Sequence, residues 1–272
     1  MRNCEEAQKA VDALRRDLTG TCWWCGGVAD SREHKFKKSD LHRLANGDSL
    51  YWGSEGTGKE LQGYKRSNIT RFGKVLCRRC NNVVSQPFDC AYDRYSRFVS
   101  GHSNSLWPRS GIRFDELYGA ATWEVDTRNL ARYFAKNFGC LMADNGLEPP
   151  QVLRDFMDGA DECLDTGMFL VKDQARWMLH KELLRHEPRP EAGLWIEPGY
   201  GMVARDGSRL HSYHATTFVG YIGVQFVWQD GSGHRDSFYL HSHPVLNRRR
   251  AHRQIKRMMR AARQRSNKET AD

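Results

Sequence analysis

No stretch of this 272-residue chain approaches the roughly 18–20 consecutive apolar residues that a membrane-spanning helix needs. The opening residues, MRNCEEAQKAVDALRRDL, are charged throughout and lack the apolar segment of a signal peptide. These absences predict a cytoplasmic protein with no membrane partner. A reducing compartment disfavours a disulfide framework, so the eight cysteines are read as metal or thiol chemistry. No internal repeat of useful length is present. Acidic residues are missing from 248–268, a stretch with ten Lys or Arg. The whole chain carries a formal charge of +9, so the remainder sums to about −1. Yet residues 32–79 are themselves basic, with twelve Lys or Arg against five Asp or Glu. Two basic zones and a compensating acidic middle point to nucleic-acid contact at defined places.

The length suits one large domain or two smaller ones, and a hydrophobic fraction of 39% fits a folded chain. Ala7, Ala10, Val11, Leu14 and Leu18 recur at helical spacing and predict a helix over 4–18. Residues 45–63, rich in Gly, Ser and charge, read as a long loop. NITRFGKVL is strand-like, and residues 81–101 read as a helix interrupted near Pro87. From 91 to 190 the pattern is mainly helical, with Leu130, Tyr133, Phe134 and Phe138 on one side of a segment that an Asn-Gly pair ends. Residues 193–246 turn to β-branched and aromatic residues punctuated by Asp-Gly, the pattern of a small antiparallel sheet. The basic segment after 247 reads as a helix, with Ala251, Ile255, Met258, Met259 and Ala262 as an apolar stripe.

The strongest signal is the pair of CxxC motifs. Cys22, Cys25, Cys77 and Cys80 supply four thiolates, and each two-residue gap lets both sulfurs of a pair reach one tetrahedral zinc ion. Such a site is closed and structural. Cys4, Cys90, Cys140 and Cys163 lack that spacing and read as ordinary thiols. Trp23 and Trp24, inside the first motif, read as apolar cover for the metal.

Between the cysteine pairs lies Glu33-His34, and Asn81 follows the last cysteine. Phosphodiester hydrolysis needs a hard divalent cation, a base for water and neutralisation of transition-state charge. Glu33 and Asn81 offer oxygen ligands for Mg²⁺ or Mn²⁺. His34 is the best available general base. Neighbours on a regular strand point to opposite faces, so a bend or irregular strand is required if Glu33 and His34 are to serve one site. Arg32, Lys35, Lys37 and Lys38 flank this pair, and Arg78 and Arg79 flank Asn81. With Arg249, Arg250, Arg253 and Arg257 of the basic tail they are the candidate phosphate contacts.

The order CxxC, acid-His, CxxC-Asn over residues 20–95 resembles the HNH endonucleases in their zinc-bearing ββα-metal (treble-clef) form. That resemblance covers only the N-terminal part. With the helical and strand patterns of the remainder it gives an α+β fold: a zinc-stabilised ββα-metal domain, then a helical region, a small antiparallel sheet and a basic helix. Residues 1–95 would be an HNH-like domain and 96–247 an α+β accessory region, followed by a basic helix over 248–272. It also implies DNA rather than RNA as substrate. A homodimer or a partner protein of an anti-phage defence system or mobile element is the kind of assembly such nucleases enter. Asn68, Asn82 and Asp89 are further residues whose side chains suit a supporting role. The competing readings are a zinc ribbon that binds nucleic acid without cutting it, and a subunit active only in a larger complex. His211, His214, His241 and His243 read as strand histidines rather than metal ligands.

Overall fold

The computed structural model describes residues 4–45, 50–54, 57–61, 63, 67–186 and 193–250. Helix α1 (Cys4–Asp12) is shorter than its apolar periodicity suggested. The amide of Arg16 donates to the carbonyl of Gly146 at 2.9 Å, which draws the chain off the helical path. Leu14 and Leu18 still pack against the main core, from irregular backbone.

Helix α2 (Lys38–Ala45) is followed by strands β1 (Leu50–Ser54) and β2 (Thr57–Leu61), which pair as an antiparallel hairpin. This corrects the loop expected over 45–63. Glycine and charge mask the alternation there, but Leu50 lies opposite Leu61 and both are buried. They close a small satellite core with Phe36, Leu41 and Ala45. Asp40 ties α2 to the body as a buried acceptor for Tyr92 Oη at 2.7 Å and Ser96 Oγ at 2.6 Å.

A π-helical segment, Arg79–Val84, leads into α3 (Gln86–Gly101), so the break expected near Pro87 is the junction between two helix types. Pro87 sits in the first turn of α3, where its missing N–H leaves no helical bond unmade. The short helices α4 (Ser103–Leu106) and α5 (Phe114–Tyr118) precede α6 (Trp123–Asp144), and α7 (Gln151–Met157) follows it. Between Leu130 and Ala143, α6 has apolar burial on nearly all sides, as befits a helix at the centre of a fold. Tyr133 stacks on Tyr92 of α3 at 3.8 Å on one flank.

The second layer is a sheet of β3 (Thr166–Asp173), β4 (Leu194–Ile196), β5 (Tyr200–Val203), β6 (Leu210–Val219), β7 (Ile222–Gln229) and β8 (Asn247–Arg249), with α8 (Gln174–His186) between β3 and β4. The order is β4-β6-β7-β3-β8, with β5 also paired to β6. All pairings are antiparallel except β3 with β8, so the sheet is mixed. Phe226 of β7 stacks on Phe138 of α6 at 4.6 Å, which seats the sheet on the other flank of that helix. Strand β3 corrects the helical reading of its stretch. TGMFLVKD is buried along nearly all its length, so it reads as a near-continuous apolar run without alternation. Arg248 and Arg249 belong to β8, not to a helix. The remainder of the expected basic helix, with Arg253, Arg257 and the apolar stripe, lies outside the described residues.

One core cluster runs from Trp23 through Tyr92 and Phe134 to Phe226, and α3 passes through residue 95 without a break. The first cysteine motif thus packs on the same helix as the sheet. The contact is tight at Gly139, where an added Cβ would lie 2.3 Å from the indole of Trp23. Gly139→Ala is therefore expected to destabilise the protein by about 1–3 kcal/mol through overpacking. Urea unfolding checks this, and an unchanged midpoint would mean that the indole can slide off α6.

Candidate metal centre and hydrolytic site

The first cysteine motif is a knuckle closed by a bridge between Thr21 and Val28. The amide of Gly26 donates to the Cys22 carbonyl at 2.8 Å, and that of Cys22 to the Gly27 carbonyl at 2.7 Å. Cys77 and Cys80 stand at the start of the π-helical segment. The four sulfurs lie within 4.8 Å of one another, and Cys25 Sγ is 3.7 Å from Cys77 Sγ. A Zn–S bond of about 2.3 Å in a tetrahedron places sulfurs about 3.8 Å apart. The four cysteines therefore fit a zinc-like structural metal. The Cys80 thiol is pushed well up by burial and by its cysteine neighbours. A divalent cation among them reverses that, because coordination removes the thiol proton. Trp23 and Trp24 are buried and cover the knuckle. They are also its anchors: Trp23 Nε1 donates to Cys140 Sγ at 3.4 Å and Trp24 Nε1 to Asp158 Oδ1 at 2.7 Å. Arg154 Nε donates to the Trp23 carbonyl at 2.6 Å.

From the knuckle the chain runs back along residues 70–76 as an antiparallel ribbon. Ser31 bridges Leu76, and His34 bridges Arg71. Three positions separate the bridges on one strand and five on the other. The ribbon is bulged between them, and a bulge re-aims side chains. The backbone that carries Glu33 and His34 is thus irregular rather than a regular strand.

Glu33 turns toward α6. Its Oε1 lies 3.1 Å from the Nζ of Lys136, which is fully buried and also 3.2 Å from Asp89 Oδ1 of α3. Burial raises the pKa of Glu33, with Lys136 opposing. Lys136 donates to Ser85 Oγ at 3.3 Å, and Ser85 Oγ donates to the carbonyl of Asn81 at 2.6 Å. Asn81 is itself buried. Its Nδ2 donates to Ser31 Oγ at 2.9 Å, while its Oδ1 has no hydrogen-bond partner. The π-helical segment that carries it is a geometry often found at functional sites. His34 has a buried Nε2, also without a partner. Its pKa is lowered, first by burial and then by Arg71, Lys38 and Lys136, so the neutral imidazole prevails at neutral pH. Lys136 thus contacts Glu33, is linked to Asn81 through Ser85, and acts on His34 through its charge.

The flanking cations are not equivalent. Lys38, Arg79 and Arg250 are exposed. Arg32 is exposed but donates to Asn68 Oδ1 at 2.6 Å, so Asn68 braces a cation. Arg78 is exposed near Asp30. Lys35 reaches Asp144 at 3.9 Å, and Lys37 pairs with Asp93 at 2.8 Å. Arg249 is held by Glu197 at 3.0 Å. Arg253 and Arg257 lie outside the described residues, and Asn82 is exposed. His211 and His214 are on β6, but His241 and His243 sit in the irregular stretch after Phe238–Leu240 rather than in a strand. Among the described residues only the four cysteines gather three or more His, Cys, Asp or Glu ligand atoms at metal-binding range. Of the other cysteines, Cys140 and Cys163 are buried and Cys90 is exposed.

Sequence reasoning missed Lys136, Asp144, Arg154 and Asp158. The available signal was a lysine near the centre of LARYFAKNFGCLMA in α6, a run in which most residues are apolar. No described helix is long and apolar enough to cross a membrane.

Zinc analysis of the purified chain is expected to give one equivalent. Cys77→Ser should abolish retention and cost several kcal/mol of stability, read as an early thermal transition by circular dichroism. Full stability without metal would remove zinc as a structural element. No family model matches this chain, and neither a curated protein nor a solved structure is significantly similar to it.

Proposed function

We propose that this protein is an HNH-type phosphodiester hydrolase acting on DNA, with Glu33, His34 and Asn81 as its working residues. The observation that carries the reading is the ribbon-and-helix unit clamped by the four cysteines, with an unpartnered Asn81 Oδ1 and a neutral His34 on it. A ββα-metal arrangement places its chemistry on such a unit.

The donor set suits a hard cation. Asn81 offers a buried oxygen with no protein partner, and Glu33 a carboxylate with one oxygen paired and the side chain still 12% exposed. Mg²⁺ typically takes few protein ligands and completes its shell with water and phosphate. Glu33 and Asn81 would hold Mg²⁺ or Mn²⁺, which would supply Lewis-acid stabilisation of the phosphate and of the leaving oxygen. His34 accepts the proton of the attacking water at its free imidazole nitrogen. Arg71 and Lys38, which already act on His34 through their charge, favour an approaching phosphate. The exposed Arg32, Arg78 and Arg79 extend that field without reading sequence. A role in anti-phage defence or in a mobile element, with a homodimer or partner protein, belongs to the same proposal and rests on the motif resemblance.

The test is nicking of supercoiled plasmid with Mg²⁺ or Mn²⁺ by the natural protein and by His34→Ala, with zinc content measured on both. Cleavage is expected from the first and a loss of at least about a hundredfold from the second. Equal cutting by both would remove His34 from the mechanism. Tight DNA binding with no cutting by either would favour the zinc-ribbon binder.

The pH dependence carries a sign. A histidine whose pKa is lowered stays neutral to lower pH, so the acid limb of kcat/KM should fall below the ordinary histidine value of 6.5. A limb centred above that value would exclude His34 as the titrating base.

A further inference from the structure

Lys136 is the largest unexplained expense in the core. A lysine with no exposed surface sits in the middle of α6, between Tyr133 and Cys140, where most neighbouring helix positions are apolar or small. Buried charges persist when they are paired. Here the pairing is double: Glu33 comes from the ribbon and Asp89 from α3, at 3.1 and 3.2 Å from Nζ. The remaining charged group near Glu33 is Lys37, which Asp93 pairs at 2.8 Å. The local count is thus two carboxylates and one ammonium, a net charge of −1.

We propose that Lys136 is a built-in counter-cation for Glu33 and Asp89: a positioning residue that aims the Glu33 carboxylate and holds the affinity of the site for a free divalent cation low until a phosphate adds its own oxygens. This rests on the hydrolase reading for the role of Glu33. It adds a residue from outside the segment that resembles the nucleases.

The geometry supports positioning as well as charge. The hydrogen bond to Ser85 Oγ, which in turn holds the Asn81 carbonyl, links the ammonium to the backbone of the second oxygen ligand. One fixed point on α6 therefore sets the strand that carries Glu33 and the π-helical segment that carries Asn81. A divalent cation approaching Glu33 meets a carboxylate whose partner is already a cation within hydrogen-bond range, and the repulsion is felt at short distance and low dielectric.

The experiment measures Mn²⁺ binding to the zinc-loaded protein by electron paramagnetic resonance, without nucleic acid. Four proteins are compared: the natural chain, Lys136→Met, Asp89→Asn, and the double variant. Their local charges are −1, −2, 0 and −1, counted from Glu33, Asp89 and Lys136. Affinity is expected to rise about tenfold or more in Lys136→Met, to fall about tenfold in Asp89→Asn, and to return within about threefold of the natural value in the double variant. A merely structural lysine would give no such order, because losses of packing do not cancel when a second charge is removed. Asp89→Asn keeps the Lys136–Glu33 pair and so keeps the fold. If Lys136→Met does not fold, an unchanged Mn²⁺ affinity in Asp89→Asn still overturns the proposal.

Plasmid cleavage on the same four proteins separates the two ideas. In Lys136→Met, the Mn²⁺ concentration for half-maximal cutting should shift down by the factor seen in binding, while kcat falls. If the natural protein binds Mn²⁺ in the expected order but cuts neither DNA nor RNA, the hydrolase reading fails and the role of Lys136 stands. If it cuts but its Mn²⁺ affinity ignores the charge count, the reverse holds.

Discussion

The seat of the Trp23 indole on α6 at Gly139 is the contact on which the other arrangements depend. A cysteine knuckle is small and cannot bury a core of its own, so its position is set by what it leans on. Here it leans on the central helix by a flat aromatic surface, with Cys140 receiving the indole N–H and Arg154 gripping the Trp23 carbonyl. Because Gly139 has no side chain, the approach is closer than any other residue would allow. The cysteine cluster then fixes the far ends of the ribbon, and the ribbon fixes Glu33 and His34. The same helix face presents Lys136 one turn earlier. The first cysteine motif and the buried Lys136 ammonium are therefore held by neighbouring positions on one helix.

Some of this was legible in the sequence. Two CxxC motifs have a spacing that thiolate coordination alone explains well, and the structure gathers their four sulfurs. Helix α6 follows from Leu130, Tyr133, Phe134 and Phe138 on one side of a segment ended by Asn-Gly. The sheet is announced by β-branched and aromatic runs broken at Asp-Gly. The pairing of β1 with β2 was hidden because glycine and charge blur alternation in a hairpin whose one buried face is built from Leu50 and Leu61. Strand β3 was hidden for the opposite reason: a strand buried on both faces has no alternation to read.

The site shows the same division. Glu33, His34 and Asn81 stand out by their places beside the cysteines, and the bulged ribbon supplies the irregular backbone that a joint role requires. Their environment was not legible. Lys136 is one lysine among 42 basic residues, and only tertiary packing turns it from a surface charge into a buried one. The same holds for the flanking cations. Lys37 and Arg249 look identical in sequence to Lys38 and Arg250, yet the first two are engaged by Asp93 and Glu197. Spacing along a chain reports local geometry, whereas the partner of a charge is decided by segments about fifty to a hundred residues away.

That distance has a consequence during synthesis. The Trp23–Cys140 contact joins positions 117 residues apart, and Glu33 meets its ammonium only when α6 packs. When Cys80, the last cysteine of the cluster, has been made, α6 (Trp123–Asp144) has still to be synthesised. The nascent chain thus holds Glu33, His34 and Asn81 before it holds the helix whose lysine pairs with Glu33. The Glu33–Lys136 pair can therefore form only after α6 has been made, however early the N-terminal segment emerges.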